Sequence, residues 1–250
     1  MKLSVILPVF NEEANVRATL RGLDETLKKI NMEHEIIAVD DGSTDGTWDE
    51  FKAAASEIDG LKLVRCNENG GKGQALKLGF EKSSGDIVAF FDAGDEYSSD
   101  HLVQFLKLMD GEKAEVVIGS KRHPESKVKY PVRRIFWSAV HNLAVKILLG
   151  LPVKDTQVGV KVFKREVLKE VMPPLLVKRY AFDVELLANV HRRGYKIVEA
   201  PVELNFKPGS EKIRFKDIFR IALDILAISY RMRVLKYYDR VKGKVFQVGS

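Results

Sequence analysis

The sequence predicts an α/β fold with a doubly wound, mostly parallel sheet, and three observations carry that expectation. Short Val/Ile/Leu runs alternate with longer amphipathic stretches through the first half of the chain. The runs are apolar at nearly every position, the pattern of strands buried on both faces beneath covering helices. The residues that follow each run are polar or acidic, as expected where strand ends line a ligand crevice.

The elements follow in order. LSVILPV is the first strand, and a helix begins at about Glu13; HEIIAVD is the second, with a helix from about Thr47. LKLVRC is followed by a helix from about Gln74, DIVAFFD by one from about Ser99, and EVVIG closes the regular alternation. From about Arg133 the pattern becomes long helices and short strands (KVF, YKIVEA, VELNF), with no linker rich in Pro, Gly or Ser. This organisation reads as one domain over 1–210 and a C-terminal helical elaboration over 211–250 that packs on it or extends it.

Composition sets limits. At 250 residues and 45% hydrophobic content the chain is long enough for a full core. Lys and Arg exceed Asp and Glu by 41 to 35, too small an excess to indicate a nucleic-acid partner. The excess is local: from Lys207 to Lys244 there are eleven basic and four acidic residues. Cys66 is the single cysteine, so no intrachain disulfide forms, in keeping with a reducing compartment. The apolar start MKLSVILPV ends at Asn11-Glu12-Glu13 without a cleavage pattern and reads as a strand rather than a signal peptide.

Ile135–Val153 contains His141, Asn142, Lys146, Gly150 and Pro152 and is too polar to span a bilayer. Phe215–Leu235 is amphipathic, with Ile218, Phe219, Ala222, Ile225, Leu226, Ser229 and Met232 at helical spacing. Together with Arg220, Arg231, Arg233, Lys236 and Arg240 that segment suits the surface of an anionic leaflet.

No G-x-G-x-x-G follows the first strand, and Gly70-Gly71-Lys72-Gly73-Gln74 lacks the spacing and hydroxyl of a P-loop. Carboxylates stand at the strand ends instead, suited to a hydrated divalent cation and to the ring donors of a base.

PVFNEE, VDDGSTDGT and FFDAGDEYS, in that order, resemble the family 2 glycosyltransferases of the GT-A fold. GSKRHPES, DTQVGVKVFKREV, RYAFDVELL and APVELNFKPGSEKI further resemble the dolichyl-phosphate β-glucosyltransferase and polyprenyl-phosphate glycosyltransferase branch. The resemblance implies a Rossmann-like GT-A domain that moves a hexose, glucose in the first instance, from a nucleotide-diphosphate sugar to a polyprenyl phosphate with inversion. The donor is then of the UDP-glucose or GDP-mannose class, the cofactor Mg²⁺ or Mn²⁺, and the location the cytoplasmic face of a membrane, held peripherally.

By the same resemblance Pro8, Phe10, Glu12 and Asp40 hold the nucleotide, with Asp40 accepting from a ring N–H and Phe10 covering one face of the base. Lys72 reaches the diphosphate, and Asp92 with Ala93 borders it. The usual Asp-x-Asp is altered to Asp92-Ala93-Gly94, which leaves Asp92 and Glu96 as the metal ligands. Asp183, in AFDVELL, is a candidate catalytic base if the acceptor is a hydroxyl. It is a positioning group if the acceptor is a phosphate, which is already ionised near neutrality. Arg122 and Lys212 are expected at the acceptor phosphate, and Asp155 and Gln157 at sugar hydroxyls. Two alternatives stay open: transfer to a sugar hydroxyl, and a nucleotide-binding homologue without catalysis.

Overall fold

The computed structural model describes residues 1–94, 97–128, 132–204 and 215–241, with backbone alone for 132–140 and 215–218. Its first half alternates as the apolar runs require. β1 (Lys2–Val9), β2 (Glu33–Asp40), β3 (Leu61–Arg65), β4 (Ile87–Phe91) and β5 (Val116–Ser120) are separated by α1 (Val16–Lys28), α2 (Thr47–Ala55), α3 (Lys72–Lys82) and α4 (Asp100–Gly111). The second half adds β6 (Lys127–Val128), α5 (Val132–Leu149), β7 (Val160–Lys164), α6 (Arg165–Val171), α7 (Phe182–Arg192), β8 (Ile197–Pro201), β9 (Glu203–Leu204), α8 (Phe215–Arg233) and α9 (Tyr237–Arg240).

Seven strands form one sheet in the order β3-β2-β1-β4-β7-β5-β8, while β6 and β9 pair separately. All neighbours in the main sheet run parallel except β7, which is antiparallel to both β4 and β5. Strand order reverses between β1 and β4, the position at which doubly wound sheets offer a ligand crevice at the strands' carboxyl ends. Because β7 is reversed, its amino end faces that same rim: Val160 pairs with Phe91 at the end of β4. The loop before β7, which holds Asp155 and Gln157, is thereby delivered to the crevice.

Alternation along β1 divides the core. Ile6 joins Val39, Phe90, Leu76 and Phe182 on one face, whereas Val5 and Leu7 join Leu20, Phe51 and Phe105 on the other. A strand buried on both faces needs apolar residues at successive positions, which is why these runs do not alternate with polar residues.

Two expectations shift in detail. α1 starts at Val16 rather than Glu13, because the residues before it join two loops: Asn11 N–H donates to Ser43 Oγ, Asn11 Oδ1 accepts from Thr44 N, and Glu13 Oε2 accepts from Gly46 N. The expected single apolar stripe on Phe215–Leu235 divides in two. Ile225, Ile228 and Met232 are buried, while Phe219, Leu223, Leu226, Tyr230 and Val234 are exposed. α8 lies along α5, with Ser229 Oγ donating to Leu148 O and Arg233 to Ile147 O. Arg231 turns inward to Glu185 instead of joining the outer basic face.

At the amino end of the sheet, Glu35 is buried and accepts from Ser4 Oγ (2.6 Å) and Ser84 N (2.7 Å), with Lys62 Nζ at 2.7 Å. Burial alone would raise its pKa, but these donors outweigh it and bring the carboxyl down to about 2. A depressed folded-state value stabilises the protein above the ordinary glutamate range, and that stabilisation is lost as pH falls toward 2. Glu35→Gln is expected to melt at a lower temperature than wild type at neutral pH, with the gap closing below about pH 3. An unchanged gap across a pH series of thermal melts would contradict this role.

Candidate active site

At the crevice the sheet brings together residues far apart in sequence. Lys72 is the first residue of α3, Asp92 follows β4, Lys161 lies within β7, and Asp183 is in the first turn of α7. The Lys72 ammonium is 2.8 Å from Asp92 Oδ1 and 3.1 Å from Asp183 Oδ2. Lys161 Nζ is 2.8 Å from Asp183 Oδ1 and also donates to Val158 O. Asp183 and Lys161 are almost wholly buried, whereas the Lys72 and Asp92 side chains are 26% and 36% exposed, so carboxylates and amines alternate from the interior to the surface.

The arrangement fixes protonation. Burial alone would raise the Asp183 pKa, but the ammonium groups of Lys161 and Lys72 outweigh it and hold it below the usual carboxylate range. Lys72 is pushed the other way: burial lowers it, and Asp183 and Asp92 more than reverse that. Burial likewise lowers Lys161, opposed by Asp183 and reinforced by Lys72. Asp183 is therefore held toward its ionised form, and a carboxylate held that way is a poor proton acceptor near neutrality.

Among the other residues expected at the site, Asp40 is buried with Oδ1 accepting from Ser43 N at 2.8 Å and Oδ2 3.2 Å from Arg65 Nε. Arg65 in turn lies over the Trp48 ring, 5.1 Å from its centroid. Phe10 is exposed at the rim, Pro8 and Glu12 are half-buried, and Glu12 N–H donates to Thr47 Oγ1. Asp41 shapes the loop that carries Lys72, because its two oxygens accept from Gly70 N (2.9 Å) and Gly71 N (2.8 Å).

Asp155 is fully engaged with the chain itself. Its Oδ2 accepts from Lys121 N and lies 2.8 Å from Lys121 Nζ, and its Oδ1 accepts from Gln157 N. It organises the loop before β7. Ser120 Oγ, Thr156 Oγ1, Gln157 Nε2 and His141 Nε2 are buried without a hydrogen-bond partner among the described residues. Such atoms are costly to leave unmet. Arg122 is half-buried on the same loop as Lys121. Glu96 and Lys212 lie outside the described residues.

Sequence reasoning missed two residues. Lys161 opens the KVF run, which reads only as a short strand; its place in the antiparallel β7, between β4 and β5, makes it a buried counter-ion. His141 showed itself only as a polar interruption of an apolar helix. Its pKa is lowered by burial first, with Lys121 and Arg122 acting in the same sense and Asp155 against them, so all four share one neighbourhood.

A divalent ion is implied by the fold family, and of its two expected ligands Asp92 alone lies among the described residues, where it pairs with Lys72. Ala93 continues from Asp92, and Gly94 has φ +126°, a backbone conformation that disfavours an aspartate there. Among the described residues no group of three or more His, Cys, Asp or Glu could hold a metal. One carboxylate still fits Mg²⁺ or Mn²⁺, which commonly take one or two protein carboxylates and complete their shell with water and substrate phosphates.

Comparison with known proteins agrees with this layout. A model described as glycosyl transferase family 2 matches residues 4–172. A dolichyl-phosphate beta-glucosyltransferase of Trichomonas vaginalis is 33% identical over 95% of this chain and 76% of its own length. An undecaprenyl-phosphate mannosyltransferase of Micrococcus luteus is 28% identical over 81% of this chain and 83% of its own. Among solved structures, mannosyl-3-phosphoglycerate synthase from Rubrobacter xylanophilus superposes with a TM-score of 0.72 at 18% identity, covering 99% of this chain and 77% of that one. Glucosyl-3-phosphoglycerate synthase from Mycobacterium tuberculosis, in complex with Mn²⁺, UDP and glucosyl-3-phosphoglycerate, gives 0.68 at 21% identity, covering 92% and 78%. The fold is that of these GT-A enzymes, and the chain belongs to glycosyl transferase family 2.

Proposed function

We propose that this glycosyltransferase transfers a hexose from a nucleotide-diphosphate sugar to a polyprenyl phosphate, with inversion at the anomeric carbon. The observation that carries the reading is the state of Asp183. Locked between Lys72 and Lys161, it is poorly suited to take a proton from a hydroxyl acceptor, whereas a phosphate monoester arrives already ionised and needs only positioning. The relatives that act on dolichyl and undecaprenyl phosphate support it.

In this reading an acceptor phosphate oxygen attacks the anomeric carbon while the bond from that carbon to the donor's β-phosphate oxygen breaks. The electron pair leaves with the nucleoside diphosphate. Lys72 shifts from Asp92 toward the departing phosphate and stabilises its charge. Asp92 would hold a Mg²⁺ or Mn²⁺ ion, which supplies Lewis-acid stabilisation of the same diphosphate when bound. Pro8, Phe10, Glu12 and Asp40 take the nucleotide, Arg122 and Lys212 the acceptor phosphate, and the unmet polar atoms of Ser120, Thr156 and Gln157 the sugar hydroxyls. Glucose is the first expectation for the sugar, with UDP-glucose as donor.

A lipid substrate implies a membrane surface. Phe219, Leu223, Leu226 and Tyr230 of α8 and Leu143 and Ile147 of α5 form an exposed apolar face, flanked by exposed Arg220, Arg233, Lys236 and Arg240. No helix among the described residues is long and apolar enough to cross a bilayer. Apolar area plus basic charge favours peripheral binding to the anionic cytoplasmic leaflet.

One experiment tests these points together. The protein is incubated with labelled UDP-glucose, UDP-galactose or GDP-mannose and anionic vesicles carrying polyprenyl phosphate, with and without chelator. Label is expected in the lipid phase and lost with chelator, and the protein is expected to pellet with the vesicles. A Phe219→Glu/Leu226→Glu variant should stay in the supernatant. No label in lipid from any donor refutes the acceptor assignment, chelator-resistant transfer refutes the metal, and unchanged pelleting of the variant refutes the docking face.

A further inference from the structure

Two residues beyond Asp183 on α7, Glu185 is fully buried and touches none of the groups assigned to chemistry. Its carboxylate joins three parts of the chain. Oε2 accepts from Leu176 N at 3.0 Å and Val177 N at 2.8 Å. Oε1 accepts from the Tyr238 hydroxyl of α9 and lies 3.2 Å from Arg231 Nη2 of α8. Tyr238 is itself fully buried, and burial followed by the adjacent carboxylate pushes its phenol pKa up, so it stays protonated and donates.

The segment held by Glu185 then reaches the diphosphate loop. Lys178 O accepts from Gly73 N at 2.8 Å, and the Lys77 ammonium donates to Leu175 O. There is no slack in that contact. A Cβ at Gly71 would fall 2.5 Å from Lys178 O, and one at Gly73 would fall 2.4 Å from the Phe182 ring. The start of α3, and with it Lys72, is thus seated directly on the 175–178 segment and on α7. Close-packed contacts of this kind pass displacement on rather than absorb it.

We infer that Glu185 is a positioning residue, which with Tyr238 and Arg231 clamps the C-terminal helices to the segment that seats Lys72, so that nucleoside diphosphate binding depends on how α8 and α9 are docked. The inference rests on the proposed use of Lys72 at the diphosphate. Physically it makes the lipid-facing helices and the donor site two ends of one path of hydrogen bonds and an ion pair: α8 and α9, Glu185, the 175–178 backbone, Gly73, Lys72.

The test measures UDP and GDP affinity by calorimetry in Mg²⁺ buffer, well below the melting temperature. It compares wild type, Glu185→Gln, Tyr238→Phe and Ile58→Ala. Ile58 is buried on the opposite face of the sheet and serves as a destabilised control outside the path. Both path variants are expected to bind the preferred nucleotide about tenfold more weakly, the scale of ordinary coupling between sites, while Ile58→Ala binds like wild type. Wild-type affinity in both path variants would overturn the inference, as would an equal loss in Ile58→Ala, which would mean general destabilisation. Should Glu185→Gln not fold, Tyr238→Phe alone decides by the same criteria, since it removes one hydroxyl and keeps the ring. A wild-type protein that bound neither nucleotide would overturn the functional reading itself, and this inference with it.

Discussion

Asp183→Asn is expected to destabilise the protein by about 3–5 kcal/mol, the cost of leaving a buried charge without its partner, and to lower the melting temperature by roughly 6–20 °C for a chain of this size. Lys161 is the reason. Its side chain is 1% exposed, with Asp183 Oδ1 as its ion-pair partner at 2.8 Å and Val158 O accepting its hydrogen bond. Neutralising Asp183 strands that charge in low dielectric. The double variant Asp183→Asn/Lys161→Met removes the stranded charge together with its counter-ion and is expected to recover most of the stability, because an apolar side chain of similar length suits the same site. It should not recover transfer, since Lys72 still lacks one of its two anchoring carboxylates. Melts of the two variants decide the matter: a single variant as stable as wild type, or a double variant weaker than the single, would show that the pair is not a buried ion pair.

Lys72→Met is expected to reduce turnover about 10²–10³-fold, the usual loss when one preorganised donor to developing negative charge is removed. Nucleotide affinity should fall much less, because the charge on the diphosphate grows as the glycosidic bond breaks and the ammonium matters most then. The substitution also leaves Asp92 and Asp183 without their shared cation, so a thermal melt must accompany the kinetics. Turnover within tenfold of wild type in a folded variant would remove Lys72 from the chemistry. Lys72→Arg is expected to rescue only in part: the guanidinium keeps the charge but spreads it over a planar fork, and the start of α3 is closely packed.

Much of the fold was legible from local pattern. The five apolar runs of the first half became β1 to β5, and the helix starts fell within a few residues of their expected places. The largest deviation, at α1, arose because Asn11 and Glu13 donate to and accept from the 43–46 loop, a contact between segments about thirty residues apart that no local propensity encodes. The expected site was written in the sequence as polar residues that follow the apolar runs. The structure brings Asp92 and Asp183 within ion-pair distance of Lys72, while Asp40 and Asp155 are each already engaged by neighbouring groups of the chain.

Sequence by itself therefore determined the alternation of elements, the burial of strands on both faces, and which side chains stand at the carboxyl ends, because hydrophobic periodicity and strand-end position are properties of short segments. Tertiary structure alone decided the direction of β7, the burial of Lys161, the pairing of Asp183 with two lysines, and the inward turn of Arg231 and Tyr238 onto Glu185. Those depend on the dielectric and the charges around a group. That environment is assembled from residues up to 111 positions apart, so it exists only once the sheet has formed.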